Sequence, residues 1–296
     1  MYIEQWPIPE PRMSTLLQLV QRELEKRHIE PSVSLWNTPV FVIPKHNGKG
    51  FCLLHDLRAV NRKIQLMGPV QTRLPGNSFI PTNQPCAIID IKDCFFSIPL
   101  HEQDKERFAF SIVFPNGHQP NLRFQWKVLP QGMVNSPTIC QIVVSKALAP
   151  IWSKNPKATI IQYTDDIQIA ASSSDQVDDL VTAVSEVLKT NGFEIAEAKI
   201  KKGPSVTFLG VKIDSFHVSP PTIKIRRDIK TLYDAQQILG SLQWLRNIVL
   251  IPPEIMSPLY DLLNGKHSWE PKSMSKEAAH SLDYIEQQLS TAALSR

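Results

Sequence analysis

The amino-acid sequence predicts an α+β body followed by an all-helical module, and three observations carry that expectation. Short apolar runs with strand character alternate with helical periodicities as far as about residue 215. Beyond that point only helical spacing recurs. The chain has 296 residues, 42% hydrophobic and 20% charged, which suits an ordered globular protein with a sizeable core.

The elements follow in order. Met13, Leu16, Leu17, Val20 and Leu24 fall on one helical face, so residues Met13 to Arg27 are expected to form an amphipathic helix closed by Pro31. The runs TPVFVIP and GFCLLHDL read as strands separated by the turn residues His46-Asn47-Gly48. Residues 67–85 are rich in Pro, Gly and Asn and read as a long connection. CAIIDI is short and continuously apolar, as a strand covered on both faces must be, and it carries Asp90. RFAFSIVF and LRFQWKVL are expected to form a hairpin around Pro115-Asn116-Gly117. Ser136-Pro137 is a helix-start signal, with Ile139, Ile142, Val143, Ala147 and Ile151 behind it at helical spacing. TIIQYTDDIQIAA alternates on both sides of a Thr-Asp-Asp corner and predicts a hairpin. A helix is expected from Asp175 to Thr190, stopped by Asn191-Gly192. Leu232, Ala235, Leu239, Leu242, Leu245 and Val249 make one later stripe, Leu259, Leu262 and Leu263 another, and Ser275 to Ser290 a last helix.

Composition narrows the function classes. A net charge of +4 fits a polyanionic partner weakly. Twenty-four prolines against eleven glycines imply rigid connections between short elements. The four cysteines, Cys52, Cys86, Cys94 and Cys140, have no CxxC spacing, so neither a zinc site nor a disulfide framework is indicated. No signal-peptide pattern opens the chain and no apolar run approaches the roughly 20 residues that span a bilayer, so a reducing, cytosol-like compartment without a membrane partner is expected. No internal repeat or low-complexity tract is present.

The chemistry concentrates on three carboxylates. Asp90 lies on a buried strand and Asp165-Asp166 at a hairpin tip, and ionised groups held there are costly unless paired or bound to metal. Carboxylates with no arginine between them are hard oxygen ligands suited to Mg²⁺, and two such ions about 4 Å apart clamp both oxygens of a phosphoryl displacement. Taken alone, an Asp-Asp pair is more often a solvated turn. Asp178-Asp179, expected in a helical first turn, needs only a helix-dipole explanation.

Order and spacing decide between these readings. YTDD follows DIKDCFF by about 75 residues with LPQGMVNSPTICQ between, and this series resembles the motifs of retroviral reverse transcriptases. The resemblance runs from EQWPIPE to the end of the chain. WNTPVFVI, LLHDLRAVN, FSIPL and FQWKVLPQGM look most similar to avian alpharetroviral and betaretrovirus-like (endogenous group K type) elements. It implies a right-hand polymerase fold, with fingers at 1–65 and 98–135, a palm with an antiparallel sheet at 66–97 and 136–215, and a helical thumb at 216–296. It implies RNA- and DNA-directed DNA polymerisation from a primer 3′-OH and a dNTP, on an RNA or DNA template, with two Mg²⁺ ions or Mn²⁺ in substitution.

Site roles follow from the same resemblance. Asp90 and Asp165 are the implied main metal ligands, Asp166 their support, and the Ile91 carbonyl a further ligand. Asp93 and Cys94 are expected to offer N–H groups to the triphosphate, and Phe95 to gate against a ribose 2′-OH or to serve as core. Gln131, Gly132, Lys45 and Thr164 complete the nucleotide site, Thr164 standing where the family carries methionine. Lys199 matches a proposed general acid for the pyrophosphate, with a phosphate contact or a plain surface role left open. Tyr163, Phe208, Leu209, Gly210, Gln243 and Trp244 are expected to track the template–primer, and Lys224, Arg226, Arg227 and Lys230 its phosphates. Cys52 replaces the family's triphosphate-binding arginine. The family's connection and ribonuclease H domains do not follow in this chain, so it reads as a piece of an endogenous Pol polyprotein. The rest of that polyprotein or a second subunit is the expected partner, and cytoplasm or virion the expected location. A catalytically impaired remnant that only binds nucleic acid is the alternative.

Overall fold

The computed structural model describes residues 1–45, 50–68, 83–117, 119–203, 205–214, 217–219, 225, 227–246, 249–291 and 294–295. The expected turn at His46-Asn47-Gly48, most of the connection at 67–85, and Lys224 and Arg226 lie outside these residues. In chain order the helices are α1 (Glu10–Glu25), α2 (Arg58–Asn61), α3 (Glu102–Lys105), α4 (Ser136–Lys154), α5 (Ser174–Thr190), α6 (Leu232–Leu245), α7 (Pro253–Tyr260) and α8 (Lys276–Thr291). The strands are β1 (Ile29–Pro31), β2 (Val40–Pro44), β3 (Phe51–His55), β4 (Cys86–Lys92), β5 (Ala109–Ile112), β6 (Leu122–Trp126), β7 (Thr159–Tyr163), β8 (Asp166–Ala170), β9 (Glu194–Ile195), β10 (Lys201–Gly203), β11 (Val206–Phe208), β12 (Val211–Ile213), β13 (His217–Ser219) and β14 (Leu294–Ser295).

All strand pairs among these are antiparallel. The central sheet runs β10-β4-β8-β7, with β9 also on β4. Period-two alternation gives it two faces. Ala87, Ile89, Ile91, Ile167 and Ile169 join the main core with Val144 and Leu148 of α4 and Val184 and Leu188 of α5. Cys86, Ile88 and Ala170 pack on the other side against Val206, Phe208 and Ile213 of β11 and β12. A separate core of α6, α7 and α8 gathers Leu239, Leu242, Met256, Leu259, Leu282 and Ile285.

Several expectations are corrected. The C-terminal part is not purely helical, because β13 and β14 extend the β11-β12 hairpin into a four-stranded sheet. Pro31 ends β1 rather than closing a helix, and α1 stops at Glu25, just before Arg27 turns left-handed at φ 59°. The buried face of α4 is Cys140, Val144, Ala147, Leu148 and Ile151, one position round from the stripe read in the sequence. Ser136 does not cap α4: its hydroxyl donates to the Pro130 carbonyl at 2.9 Å. Asp178 lies past the first turn of α5 and pairs with Lys202 at 2.6 Å.

A buried histidine ties the β2–β3 hairpin to the β5–β6 layer. Trp126 Nε1 donates to His55 Nδ1 at 3.2 Å, so His55 Nε2 carries the proton and donates to the Thr38 carbonyl at 3.2 Å. Burial pushes His55 down to about 4, opposed by the Thr38 carbonyl and the Asp56 charge. A second ring proton would face the indole N–H donor. Because the folded-state value lies below the usual 6.5, His55 favours folding above pH 6.5, and that contribution is lost as pH falls towards 4. Urea unfolding should therefore lose roughly 3 kcal/mol of stability from this residue between those limits. His55→Gln should flatten that segment of the pH profile. An unchanged slope in a folded His55→Gln protein would show that His55 is not the group responsible.

Candidate active site

The register of β4 on β8 places the carboxylates. Asp90 is directly opposite Asp166, so both side chains leave the same face of the sheet, the one continued by Ile88 and Gln168. Tyr163 pairs with Asp166 across the β7–β8 hairpin, leaving a two-residue loop of Thr164 and Asp165. Thr164 sits in the left-handed region at φ 51°, an uncommon conformation for a β-branched residue. The corner is joined to β4 by the Ile91 N–H, which donates to the Asp165 carbonyl at 2.9 Å.

The three carboxylates are neighbours, yet they do not converge on one point. Among the described residues no three His, Cys, Asp or Glu side chains are collected as a ready metal cage. Like charges repel, and each oxygen turns to the nearest donor. Asp90 accepts from Lys199 Nζ at 3.1 and 3.3 Å through its two oxygens. Asp165 Oδ1 accepts from the Thr164 hydroxyl at 2.8 Å, whose single proton is shared with the Tyr163 carbonyl. Burial raises the Asp166 carboxyl, and the charges of Asp165 and Asp90 raise it further against Lys199 and Lys201. The donor set fits a hard cation: the charges of Asp165 and Asp90 raise the cost of ionising Asp166, and an ammonium already rests on Asp90.

The other expected residues divide into those gathered here and those placed apart. Asp93 closes β4 in the left-handed region at φ 48° and pairs with Lys26 at 3.3 Å. Cys94 is buried with its Sγ 2.7 Å from that of Cys140 on α4, and this contact together with burial raises the Cys94 thiol. Phe95 is half-buried against the main core. Gln131 and Gly132 are exposed before α4, and Asn61 brackets that loop by donating to the Gly132 carbonyl at 2.8 Å and accepting from Val134 N–H at 3.0 Å. Lys45 is exposed at the loop end of the β2–β3 hairpin, its N–H donating to the Gly50 carbonyl. Cys52 lies opposite Ile43 in that hairpin, a diagonal neighbour of Lys45 on one face.

Phe208 is buried in the cluster against which Tyr163 packs, and Leu209-Gly210 form a tight left-handed turn at φ 47° and 78°. Gln243 projects from α6 to Arg246 and the Tyr260 hydroxyl, each at 3.4 Å, while the Trp244 side chain lies outside the described residues. Arg227 is engaged by Asp283 and Glu286, and Lys230 by Asp228, so their expected phosphate role competes with these ion pairs.

Sequence reading missed a polar cluster behind the corner. Gln162 is 4% exposed, and its Oε1 accepts from Ser145 on α4 at 2.7 Å. Gln141 Oε1 accepts from the Thr164 N–H at 2.7 Å. The available signal was a glutamine interrupting the apolar TIIQY strand.

Comparison with known proteins finds relatives along the whole chain. Residues 43–213, more than half the chain, match the family described as reverse transcriptase (RNA-dependent DNA polymerase), and residues 220–283 match the reverse transcriptase thumb domain. The Gag-Pol polyprotein of Rous sarcoma virus subgroup B (strain Schmidt-Ruppin) is 47% identical over 295 residues, covering 100% of this chain and 18% of the viral protein. The Gag-Pro-Pol polyprotein of mouse mammary tumor virus (strain BR6) is 41% identical over 297 residues, covering 100% and 17% respectively. The mouse intracisternal A-particle Pol-related polyprotein is 40% identical over 295 residues, covering 99% and 34%. The chain thus spans between about a sixth and a third of these relatives. Both parts of the central sheet that carry the aspartates fall inside the first family match, and the chain belongs to the reverse transcriptase (RNA-dependent DNA polymerase) family.

Proposed function

We propose that this chain is the fingers, palm and thumb of a reverse transcriptase, joining a dNTP to a primer 3′-OH on an RNA or DNA template. The observation that carries the reading is the pairing of Asp90 with Asp166 across β4 and β8, with Asp165 at the adjoining corner. Fingers take residues 1–65 and 98–135, palm 66–97 and 136–215, thumb 216–296. The thumb-family match at 220–283 and the separate helical core support the last boundary. The rest of a Pol polyprotein or a second subunit is its partner, in cytoplasm or virion. None of the described helices is long and apolar enough to cross a membrane.

Asp90, Asp165, Asp166 and the Ile91 carbonyl would hold two Mg²⁺ ions, or Mn²⁺ in their place. When bound, such ions activate the attacking hydroxyl and neutralise charge on the leaving oxygens. The protein's own groups do the positioning. Lys199 is free to exchange its exposed Asp90 contact for the pyrophosphate, because a surface ion pair is worth little. Asp93 and Cys94 present main-chain N–H groups where β4 ends, and Gln131-Gly132 face the nucleotide from the start of α4. Phe95 stands between these as the sugar gate. Lys45 and Thr164 border the same nucleotide, while Tyr163, Phe208, Leu209, Gly210, Gln243 and Trp244 follow the primer and template.

Removing a metal ligand should act on the transition state and spare duplex binding, which rests on phosphate contacts elsewhere. Asp165→Asn is expected to abolish single-turnover incorporation while the template–primer Kd stays within about threefold, a change small beside the roughly 1.4 kcal/mol of a tenfold effect. Parallel loss of binding and chemistry would remove Asp165 from the metal set.

The sugar gate works by steric exclusion of one hydroxyl, so Phe95→Ala should raise ribonucleotide use relative to deoxynucleotide use. Competition between rNTP and dNTP on one primer measures this directly. A folded, active variant with unchanged sugar selectivity makes Phe95 core alone.

At Cys52 the thiol supplies none of the five donors of a guanidinium. Each charge-assisted bond to a triphosphate contributes about 1.5–3 kcal/mol. Cys52→Arg, placed diagonally from Lys45, should therefore raise kcat/KM for dNTP on the order of 10- to 100-fold. No gain in a folded protein with measurable activity refutes the missing-arginine argument. Inactivity of both forms with duplex and metal bound would favour the binding-only remnant.

A further inference from the structure

We propose that Gln141 of α4 is the positioning residue for Asp165, holding the Thr164–Asp165 corner in its left-handed shape. The proposal rests on the metal-dependent polymerase reading and adds a residue that reading does not contain. Gln141 touches neither nucleotide nor metal in it; it acts through the corner's main chain.

Both main-chain polar groups of Thr164 are claimed by glutamine side chains. The Thr164 N–H donates to Gln141 Oε1 at 2.7 Å. The Thr164 carbonyl accepts from Gln162 Nε2 at 3.2 Å. Gln141 and Gln162 are themselves locked reciprocally: Gln141 Nε2 donates to the Gln162 carbonyl at 3.4 Å, and Gln162 Nε2 donates to the Gln141 carbonyl at 3.3 Å. Ser145, one turn along α4 from Gln141, donates to Gln162 Oε1 at 2.7 Å. A helix therefore reaches through the half-buried amide of Gln141 to fix a hairpin loop from behind.

Such a clamp has a reason to exist here. A β-branched residue resists φ 51°, so the corner must be over-determined by its surroundings to persist. The Asp165 carboxylate is carried on that corner and is exposed, with the Thr164 hydroxyl as its side-chain donor. A relaxed corner would let Asp165 swing away from Asp90 and Asp166. Catalytic groups lose rate steeply on displacements of about 1 Å.

The test pairs two readouts on the full chain. Hydrogen exchange of the peptide containing Thr164 is measured without metal, and single-turnover dNTP incorporation is measured with Mg²⁺ on a primer–template. Gln141→Met keeps length and removes both polar atoms. It should speed exchange at the corner and lower the incorporation rate about tenfold or more, with Tm shifted by no more than a few degrees and duplex Kd within about twofold. Gln141→Glu keeps the acceptor for Thr164 N–H and should retain both protection and rate within about threefold. Unchanged exchange in Gln141→Met overturns the clamp. Faster exchange with a wild-type rate overturns its role in positioning. Should Gln141→Met unfold, Gln141→Glu decides alone, since loss of rate with protection intact also overturns the proposal. An inactive wild-type chain with a protected, Gln141-dependent corner would instead sink the polymerase reading and leave the clamp standing.

Discussion

The pairing of Asp90 with Asp166 across β4 and β8 constrains nearly everything else in the central sheet. Side chains alternate with period two, so a slip of one residue would turn both carboxylates into the core of α4 and α5 and push Ile89 and Ile167 outward. Burying two unpaired carboxylates costs far more than any single strand contact returns. The apolar residues on the helix side thus fix the position of the acidic ones on the opposite face. The same register sets Ile91 N–H against the Asp165 carbonyl, which joins the corner to the strand it must face.

α4 serves this arrangement along its whole length. Its first turn is held by Ser136 on the Pro130 carbonyl and by Asn135, which donates to Gln65 and accepts from Met67 N–H. That fixes the loop bearing Gln131 and Gly132, which Asn61 grips from the other side. Next along, Cys140 meets Cys94 where β4 turns into the short helix carrying Phe95, and Gln141 meets the Thr164 corner. Three separate pieces of the candidate site are therefore referenced to one helix. Elements built this way hold reacting groups more tightly than loops can.

Much of this arrangement is legible in the amino-acid sequence. Strong periodicity in CAIIDI, TIIQY and DIQIAA located the strands, and the motif order located the aspartates. The sheet beyond residue 215 was not legible, because HVS and the residues near the C-terminus are too short to show alternation. The buried face of α4 was misread by one position since apolar residues surround that helix on most sides, leaving no clear stripe. Nor did the sequence separate Lys199 from its basic neighbours, whereas its contact with Asp90 does. Polar clamps such as Gln141–Gln162 and Asn61 join residues far apart in the chain, so spacing rules carry no trace of them beyond the glutamine that interrupts TIIQY.

Thr164 shows how the corner balances. A left-handed non-glycine residue costs on the order of 1–3 kcal/mol. Glycine would avoid that cost and give up the hydroxyl donated to Asp165 or Tyr163. It would also leave the unfolded chain more entropy to lose. Each of the hydrogen bonds at Thr164 returns about 0.5–1.5 kcal/mol net, so the bonds to Gln141, Gln162 and the hydroxyl's acceptor together offset the strain. One of those three bonds comes from α4 through Gln141, and Gln162, although part of the hairpin, is itself held by Ser145 and Gln141 of that helix. The corner's shape is therefore a property of the packed sheet and helix, and the hairpin sequence does not secure it alone. Tertiary structure in this way positions the Asp165 carboxylate at a place where local preference points elsewhere.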